Sequence, residues 1–289
     1  MNIVSFYAPR PDHPFFQDYT PFLEILGESC RKYGHKHIII TDAQLETDAR
    51  KSFVTDLPKP LMKAAIAGQL AYLKSDHAKE DSVLVGADCV LAQDPQDIFD
   101  QMLFDVAFTT GAFTDCILNT GAIFVRGNSH VGHIWARALD RMGEEWGDDQ
   151  KALAAIVRPT LYPSVTAGPG SIIRFMPVDP YNLAPAHPGE DCRRGYILHF
   201  RGPRKAWMKD YCAKWLGIGE PNEWIALPNT PAEERFNNVF LNSKRDVTWV
   251  HKETEPHDGH AVLVGGGHRF STISPRCSGG RETAKRFSR

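Results

Sequence analysis

The stretch VLVGADCVLAQDPQDIF, residues 83–99, decides the fold class of this chain. An apolar run leads directly into Asp88, and a second apolar run follows before the break at Asp94 and Pro95. Short runs that are apolar at successive positions are typical of parallel strands buried on both faces. Parallel sheets bind ligands beyond the carboxyl ends of their strands. We therefore expect Asp88 to lie at a ligand-binding edge, although aspartate is also favoured in ordinary turns.

The segments before this stretch alternate between strand and helix patterns. Residues 2–8 (NIVSFYA) and 35–42 (HKHIIITD) are rich in β-branched and apolar residues, which indicates strands. Residues 18–34 and 59–75 carry apolar residues at helical spacing, which predicts two amphipathic helices. With a strand over residues 81–92, the β-α-β-α-β order predicts an α/β fold whose parallel sheet is covered by helices.

Further elements are predicted after this alternation. Residues 105–110 and 120–128 are strand candidates, and we expect the second to return antiparallel. A helix is predicted from residue 129, with Asn128 or Ser129 as its cap, and the proline-rich residues 159–190 predict a loop. The remaining predicted elements are helices at 148–157, 209–217 and 231–252, and strands at 195–200 and 260–264.

Composition and charge exclude several classes of protein. Hydrophobic residues make up 42% of the 289 residues, enough to fill the core of one large domain. Lysine plus arginine number 33 against 35 for aspartate plus glutamate, so nucleic acid is not an expected partner. The six cysteines lack CxxC spacing and fit reduced thiols better than disulfides or a zinc finger. Without a leader pattern or an apolar run of membrane-spanning length, the sequence predicts a cytoplasmic protein with no membrane span.

The run HFRGPRKAW, residues 199–207, concentrates residue types that suit a diphosphate. His199 leaves the end of a predicted strand, where a neutral ring nitrogen could bind a divalent metal together with Asp88. Gly202 would let phosphate oxygens approach backbone N–H groups, and Lys205 would bring a positive charge to the leaving group. Taken singly, His199 could also be a core histidine and Lys205 a solvated lysine.

Four segments in order resemble one known family. They are the strand that ends at Asp88 and is followed by DP and IF, then NTGAIF (119–124), DDQKAL (148–153) and HFRGPRKAW. Over roughly residues 1–215, this order resembles the GT-A glycosyltransferases of the glycogenin and galactosyltransferase group, glycosyltransferase family 8. The resemblance implies a GT-A fold, which is a Rossmann-like mixed sheet flanked by helices, here with a C-terminal helical and loop extension.

The same resemblance implies a reaction and its cofactors. The donor would be a nucleotide-diphosphate sugar, usually a UDP-sugar, with Mn²⁺ or Mg²⁺ on its phosphates. The sugar would pass to an acceptor with retention of the anomeric configuration. The sequence identifies neither the sugar nor the acceptor, and it carries no signal for an oligomeric state.

The resemblance also implies roles for the metal and diphosphate residues. Asp88 matches the second acid of the family's Asp-x-Asp motif, and His199 matches its metal-binding histidine. Lys205 matches the lysine that contacts the diphosphate, and Gly202 would admit the phosphates. The first acid of the motif is Gly86 in this chain, so the metal site has one carboxylate fewer than the family pattern.

Residues that contact the sugar, the acceptor and the nucleoside are carried over in the same way. Asn119, Asp149 and Gln150 match residues of the catalytic sugar and acceptor pocket. The positions expected to contact the nucleoside or lie near the donor are Tyr7, Ala8 and Lys63.

Two other functions are alternatives to glycosyl transfer. A catalytically silent binding or structural protein on the same scaffold would explain the loss of an acid at Gly86. A nucleotidyltransferase usually has a glycine-rich, basic loop directly after the first strand, and residues 6–16 (FYAPRPDHPFF) contain no glycine. The nucleotidyltransferase is therefore the weaker alternative.

The resemblance and the composition divide the chain into three parts. Residues 1–217 form the predicted nucleotide-sugar-binding catalytic domain. Residues 218–270 form an extension, which reads as the start of a truncated second Rossmann-like domain of the kind fused behind such transferases in some phage-like or bacterial proteins. Residues 271–289 are polar and basic without periodicity and are predicted to be a disordered tail.

Two remaining motifs lack the further residues that a metal site or a phosphate-binding loop requires. His130 and His133 share one face of a predicted helix, but no third ligand is evident nearby, so we expect a surface or partly buried pair. LVGGGHRF, residues 263–270, is rich in glycine but lacks both the GxGxxG pattern and the Gly-Lys-Ser/Thr ending of phosphate-binding loops.

Overall fold

The chain folds around a mixed β-sheet with helices packed on it. The computed structural model describes residues 1–9, 18–42, 51–111, 116–145, 147–159, 164–168 and 171–219, all within one compact unit, Met1–Ala232. The strands are β1 (Asn2–Phe6), β2 (Lys36–Thr41), β3 (Lys51–Val54), β4 (Ser82–Val85), β5 (Cys89–Leu91), β6 (Val106–Thr110), β7 (Leu118–Val125), β8 (Ser164–Gly168), β9 (Ser171–Pro177) and β10 (Ile197–His199). The α-helices are α1 (Thr20–Lys32), α2 (Leu61–Leu73), α3 (Gln96–Gln101), α4 (Gly132–Leu139), α5 (Asp148–Val157), α6 (Val178–Tyr181) and α7 (Met208–Tyr211). Short 3₁₀ turns cover Asp76–Lys79 and Gly202–Trp207, and a π turn covers Cys212–Leu216.

The strand order creates a binding edge next to β1. Eight strands form the main sheet in the order β3-β2-β1-β4-β7-β6-β9-β8. Strands β3, β2, β1 and β4 run parallel, and β7 returns antiparallel between β4 and β6. The chain moves outward from β1 to β3 and then comes back to the other side of β1 as β4. Ligands of open α/β sheets bind at such switch points, beyond the strand carboxyl ends.

Both faces of the main sheet are covered by apolar side chains. On β4, Leu84 belongs to one buried cluster with Trp135 of α4, while Val83 and Val85 belong to a second cluster with Phe99 of α3. Successive residues of a strand point to opposite faces. Coverage on both faces accounts for the three successive apolar residues Val83, Leu84 and Val85 of β4. The predicted mixed α/β sheet flanked by helices is confirmed.

The stretch that contains Asp88 forms two strands, which corrects the single strand predicted over residues 81–92. Strand β4 ends at Val85, a turn follows, and β5 pairs antiparallel with β10 in a separate two-stranded sheet. The Cys89 N–H donates to the Gly86 carbonyl at 3.1 Å and closes the turn. A glycine inside a strand pattern often marks such a bend, because it has no side chain to pack.

The proline-rich segment is less irregular than predicted. Strands β8 and β9 lie within residues 159–190 and pair antiparallel, and β9 also pairs parallel with β6. Pro177 is the last residue of β9. A proline at a strand end removes fewer ladder hydrogen bonds than one in its middle.

Two smaller corrections concern element bounds. Helix α4 begins at Gly132 instead of residue 129, because Asn128 and His130 have φ angles of 59° and 52°, which are incompatible with a right-handed helix. The four-residue strand β3 at the sheet edge was not predicted from the sequence.

The predicted C-terminal parts fall almost wholly outside the described residues. The extension over 218–270 is described only to residue 219, and the helix at 231–252, the glycine-rich stretch at 263–270 and the tail over 271–289 lie beyond it. Among the described helices, none combines the length and apolar character needed to cross a bilayer.

Candidate active site

A cavity of about 500 Å³ opens at the carboxyl ends of β1 and β4. Its walls come from segments that are distant in sequence: the residues that follow β1, β4 and β10, one face of α2, the start of β7 and the first turn of α5. All of the predicted site residues line this cavity except Lys63. The lining residues of α2 include Met62, Ala65, Ile66 and Gln69, which lie on one helical face, and Lys63 lies outside that face.

The small two-stranded sheet brings Asp88 next to His199. Strand β5 begins directly after Asp88, β10 ends at His199, and the antiparallel register places Cys89 opposite His199. The Phe200 N–H donates to the Asp88 carbonyl at 2.9 Å at this end of the sheet. As a result, Asp88 Oδ1 lies 3.5 Å from His199 Nε2. The two side chains therefore converge at one rim, and their role as metal ligands stays a prediction.

The backbone of Gly121 in β7 supports the imidazole of His199. A Cβ at residue 121 would overlap the Nδ1 and Cε1 atoms of the ring. The Gly121 N–H donates to Asn119 Oδ1 at 2.8 Å, so the side chain of Asn119 helps to hold this backbone. His199 Nδ1 is buried and has no hydrogen-bond partner among the described residues. The close approach of the ring accounts for a glycine inside an otherwise apolar strand.

Lys205 and Asp88 form a buried ion pair. Lys205 Nζ lies 3.0 Å from Asp88 Oδ2, and both side chains are 12% exposed. Burial by itself raises the pKa of Asp88, but the charges and hydrogen bonds of His199 and Lys205 outweigh it and hold this pKa well below its usual range. Burial likewise lowers the pKa of Lys205, yet Asp88 raises it above its ordinary value. Asp88 is therefore an ionised carboxylate with one oxygen on an ammonium group and the other facing an imidazole.

The turn after β10 positions the cations of the site. Gly202 has a φ of 62°, in the left-handed region that favours glycine, and it begins the 3₁₀ turn that carries Lys205. Arg201 also lines the cavity, although sequence analysis did not single it out. The Arg-Gly-Pro-Arg-Lys order was the signal that could have identified Arg201, since three cations follow His199 within one short turn.

Aromatic residues form the wall next to Lys205. The Nζ atom of Lys205 lies 5.6 Å from the ring centroid of Tyr19. The rings of Tyr7 and Tyr19 are 6.4 Å apart, and the Tyr7 hydroxyl donates to Asp18 Oδ1 at 3.2 Å. Tyr7 and Ala8, the positions predicted to contact the nucleoside, line the cavity, and that contact stays a prediction. Tyr19 also lines the cavity but was not predicted from the sequence. No local pattern distinguishes Tyr19 from any other aromatic residue at the start of a helix.

Asp149 presents a carboxylate to the cavity from the first turn of α5. Its Oδ2 accepts a hydrogen bond from Thr120 Oγ1 at 3.0 Å. Its Oδ1 is buried and finds no hydrogen-bond partner in the described part of the chain. Burial raises the pKa of Asp149, and the hydrogen bond from Thr120 only partly opposes this effect. Gln150 and Asn119 line the same cavity, so a buried acceptor atom and two amides face one space.

The ligand atoms at the rim fit a divalent cation. Two ligands of one ion with bonds of about 2.1 Å are separated by roughly 3 to 3.5 Å, and Asp88 Oδ1 and His199 Nε2 lie 3.5 Å apart. The thiol of Cys89 belongs to the same group, because the candidate ligand atoms of Asp88, Cys89 and His199 all lie within 4.8 Å of one another. The sequence predicts Cys89 only as a reduced thiol, because its register opposite His199 arises in the folded sheet.

The two exposed histidines of the α4 region lie apart from this cavity. His130 and His133 are exposed, and the carbonyl of His130 lies 3.2 Å from His133 Nδ1. They form no metal-binding group with a third ligand among the described residues. The predicted surface pair is therefore what the structure contains.

Comparison with known proteins finds similar structures at low sequence identity. No protein-family model matches the chain, and no curated protein sequence matches it. Its structure is similar to a glycosyltransferase involved in the glycosylation of the major capsid of PBCV-1, with 14% identity and a TM-score of 0.45, covering 72% of this chain and 97% of that one. It is similar to the galactosyltransferase LgtC in complex with donor and acceptor sugar analogs, with 10% identity and a TM-score of 0.45, covering 77% and 98%. It is also similar to the glycosyltransferase GlyE of Streptococcus pneumoniae TIGR4, with 12% identity and a TM-score of 0.45, covering 77% and 66%.

Proposed function

We propose that the chain is a glycosyltransferase that uses a nucleotide-diphosphate sugar, with a divalent cation bound by Asp88 and His199. The supporting observation is that a carboxylate, an imidazole and an ammonium group meet in one cavity, at 3.5 Å and 3.0 Å from the two oxygens of Asp88. A nucleoside diphosphate gains negative charge when its bond to the sugar breaks, so it leaves more readily next to fixed positive charges.

Each group at the rim has a separate role in this proposal. A bound Mn²⁺ or Mg²⁺ would supply Lewis-acid stabilisation of the departing diphosphate. Lys205 helps to hold Asp88 ionised and is close enough to the same space to contact a phosphate oxygen. Gly202 turns the chain so that Lys205 and Arg201 both line the cavity.

The nucleoside of the donor is assigned to the aromatic wall. Tyr7, Ala8 and Tyr19 line the cavity on the side that follows β1. Flat aromatic side chains next to a charged rim suit a base attached to a diphosphate. We propose a uridine nucleotide as the donor, in line with the resemblance of the motif order to UDP-sugar transferases.

The sugar and the acceptor hydroxyl are assigned to the space in front of α5. Asp149 Oδ1 is a buried acceptor without a described partner, so a sugar hydroxyl that donates to it would remove the cost of that burial. Asn119 and Gln150 would orient the sugar in the same space. We propose attack of the acceptor hydroxyl on the face from which the diphosphate leaves, which retains the anomeric configuration.

Calorimetry and a donor screen test this function. Titration with UDP, in the presence and absence of Mn²⁺, should show metal-dependent binding. A panel of nucleotide-sugars should then reveal one donor that is hydrolysed slowly when no acceptor is present. Proton NMR of a transferred product would show whether the anomeric configuration is retained.

Matched histidine variants identify the site responsible. His199→Ala should abolish metal-dependent donor turnover and keep the fold, whereas His133→Ala should leave turnover unchanged because His133 is exposed on α4. Metal-dependent UDP binding without hydrolysis of any donor would favour the silent scaffold. Turnover that survives in His199→Ala at low Mn²⁺ concentration would show that the ligand assignment is wrong.

A further inference from the structure

We infer that Cys89 is the third protein ligand of the cation site, so that the site binds Zn²⁺ or Co²⁺ in preference to Mg²⁺ and Mn²⁺. The Asp-x-Asp pattern would place an acid at residue 86, and this chain has Gly86 instead. Binding of the metal alone is the observable, so the inference is tested whether or not the protein transfers a sugar.

The position of the missing acid is surrounded by three ligand atoms. A Cβ placed on Gly86 would lie 2.7 Å from Asp88 Oδ1, 3.5 Å from Cys89 Sγ and 3.9 Å from His199 Nε2, and these are its three nearest neighbours. Bonds to zinc are about 2.0 to 2.3 Å long. The three atoms therefore border one small space, and the ligands need to close by roughly an ångström to reach bonding distance.

The strand register explains why a thiol is present at this point. Cys89 is the first residue of β5 and lies opposite His199, the last residue of β10. The turn that ends at Asp88 therefore places the three ligands at one end of the two-stranded sheet. A substitution at residue 86 that removes a carboxylate leaves the thiol of Cys89 as the nearest alternative donor.

The thiol changes its partner when the metal binds. In the structure, Cys89 Sγ donates to the Gly121 carbonyl at 3.3 Å and the side chain is fully buried. Formation of a metal–sulfur bond releases the thiol proton to solvent, and the thiolate takes the place of the neutral donor. Lys205 remains on the second oxygen of Asp88, so the other oxygen is left to bind the metal.

The ligand types determine which ion is preferred. Thiolate, imidazole and carboxylate together form a zinc-type donor set, while Mg²⁺ favours oxygen ligands alone. Three protein ligands also leave a fourth position of a tetrahedral ion open, as in catalytic zinc sites. A phosphate oxygen of a ligand in the cavity can occupy that position.

Cobalt spectroscopy tests the third ligand directly. The protein is treated with a chelator, dialysed and titrated with Co²⁺, and its absorption spectrum is recorded. We expect a thiolate-to-cobalt charge-transfer band in the near ultraviolet and visible bands of tetrahedral intensity. Competition with Zn²⁺, Mn²⁺ and Mg²⁺ should give a zinc affinity at least about tenfold above that for Mn²⁺, following the usual order for such ligands.

Two cysteine variants control this experiment. Cys89→Ala should lose the charge-transfer band and weaken zinc binding at least about tenfold, and Cys30→Ala should change neither. Cys30 belongs to the same buried cluster as Cys89 but is not part of the ligand group. Circular dichroism and thermal unfolding establish that both variants fold.

A second variant keeps the thiol and fills the space. Gly86→Ala places a methyl group where the three ligand atoms meet, so it should weaken zinc binding while Cys89 is retained. The inference is overturned if wild-type protein binds Co²⁺ without a thiolate band, if Cys89→Ala binds zinc as tightly as wild type, or if the cation preference is for Mg²⁺ or Mn²⁺. Failure of these tests leaves the calorimetric test with UDP unaffected, so the two proposals are distinguishable.

Discussion

The imidazole of His199 packs directly on the backbone of Gly121, with no space between them for a side chain. This contact joins the small sheet, which carries His199 on β10, to the main sheet, which carries Gly121 on β7. Strand β7 therefore supports the ring at its Nδ1 and Cε1 atoms, while Nε2 is the nitrogen that faces Asp88, and β7 itself contains no titratable side chain. The orientation of the imidazole therefore depends on residue 121 having no side chain.

Gly121→Ala is expected to displace His199 and weaken cation binding. The added Cβ overlaps the ring, so the ring must move away from Asp88. Changes to groups that orient a metal ligand typically cost about 10- to 100-fold in metal affinity, and we expect a loss in that range by calorimetry. Gly132→Ala is the matched control, because its Cβ would meet Leu70 Cδ1 at an ordinary 3.6 Å. Equal cation affinity in both variants would show that His199 does not depend on Gly121.

Local patterns in the sequence were sufficient for strands β1, β2, β4, β6, β7 and β10, but not for β3, β8 and β9. The apolar run at 83–85 predicts β4, and the charged turn after His199 predicts the position of Lys205, because each signal lies within a few adjacent residues. The break of the strand at Gly86 was missed because β5 leaves the main sheet to pair with β10, more than a hundred residues later in the chain. Strand pairing over such a distance has no local signature.

Two residues show why the lining of the cavity could not be predicted in full. Lys63 has the residue type expected near a phosphate, but the helical face that lines the cavity excludes it. Cys89 has no spacing motif of its own and becomes a candidate ligand only through its register opposite His199. Residue type and chain order therefore indicate cavity-lining residues where one segment carries the signal. They do not do so where the orientation of a helix or the pairing of two strands decides which side chains face the cavity.

Lys205→Met is expected to lower donor turnover more than donor binding. The ammonium group would stabilise charge that develops as the diphosphate leaves, and loss of one such donor typically costs about 10² to 10³ in kcat. Lys209→Met, at an exposed lysine of α7, is the control and should behave as wild type. The measurement is kcat and KM for hydrolysis of the donor identified by the nucleotide-sugar screen. A change confined to KM would indicate that Lys205 only binds the ground state.

Asp149→Asn is expected to stabilise the protein while it impairs activity. Burial raises the pKa of Asp149, so its folded-state pKa lies above the unfolded value and ionisation opposes folding as the pH rises through this range. At pH 7 the neutral amide avoids that cost, and it still offers an oxygen to Thr120. We expect a higher Tm at pH 7, a smaller difference at pH 4, and reduced transfer because the acceptor oxygen facing the cavity is altered. A lower Tm at pH 7 would contradict this account of the buried carboxylate.

The ion pair of Asp88 and Lys205 is expected to stabilise the fold within a defined range of pH. The pKa of Asp88 is lowered from its ordinary 3.8, so the stabilisation is present above about pH 4 and is lost as the pH falls through the folded-state pKa. Lys205 has a raised pKa, so on the alkaline side the stabilisation is lost only above 10.5. Asp88→Asn leaves the ammonium group of Lys205 buried without its counter-charge. We expect a loss of about 3 kcal/mol in the free energy of unfolding at pH 7, at the low end for a broken buried pair because Lys205 retains some solvent contact.

Urea unfolding between pH 2 and pH 7 measures this contribution. The double variant Asp88→Asn/Lys205→Met removes both charges and should recover much of the stability lost in Asp88→Asn, since no buried charge is left uncompensated. The difference between wild type and Asp88→Asn should shrink as the pH falls below about 4, because the Asp88 carboxylate of the unfolded chain then takes up a proton while that of the folded protein stays ionised. A difference that stays constant over this range would show that the side chain of Asp88 contributes through packing and not through its charge.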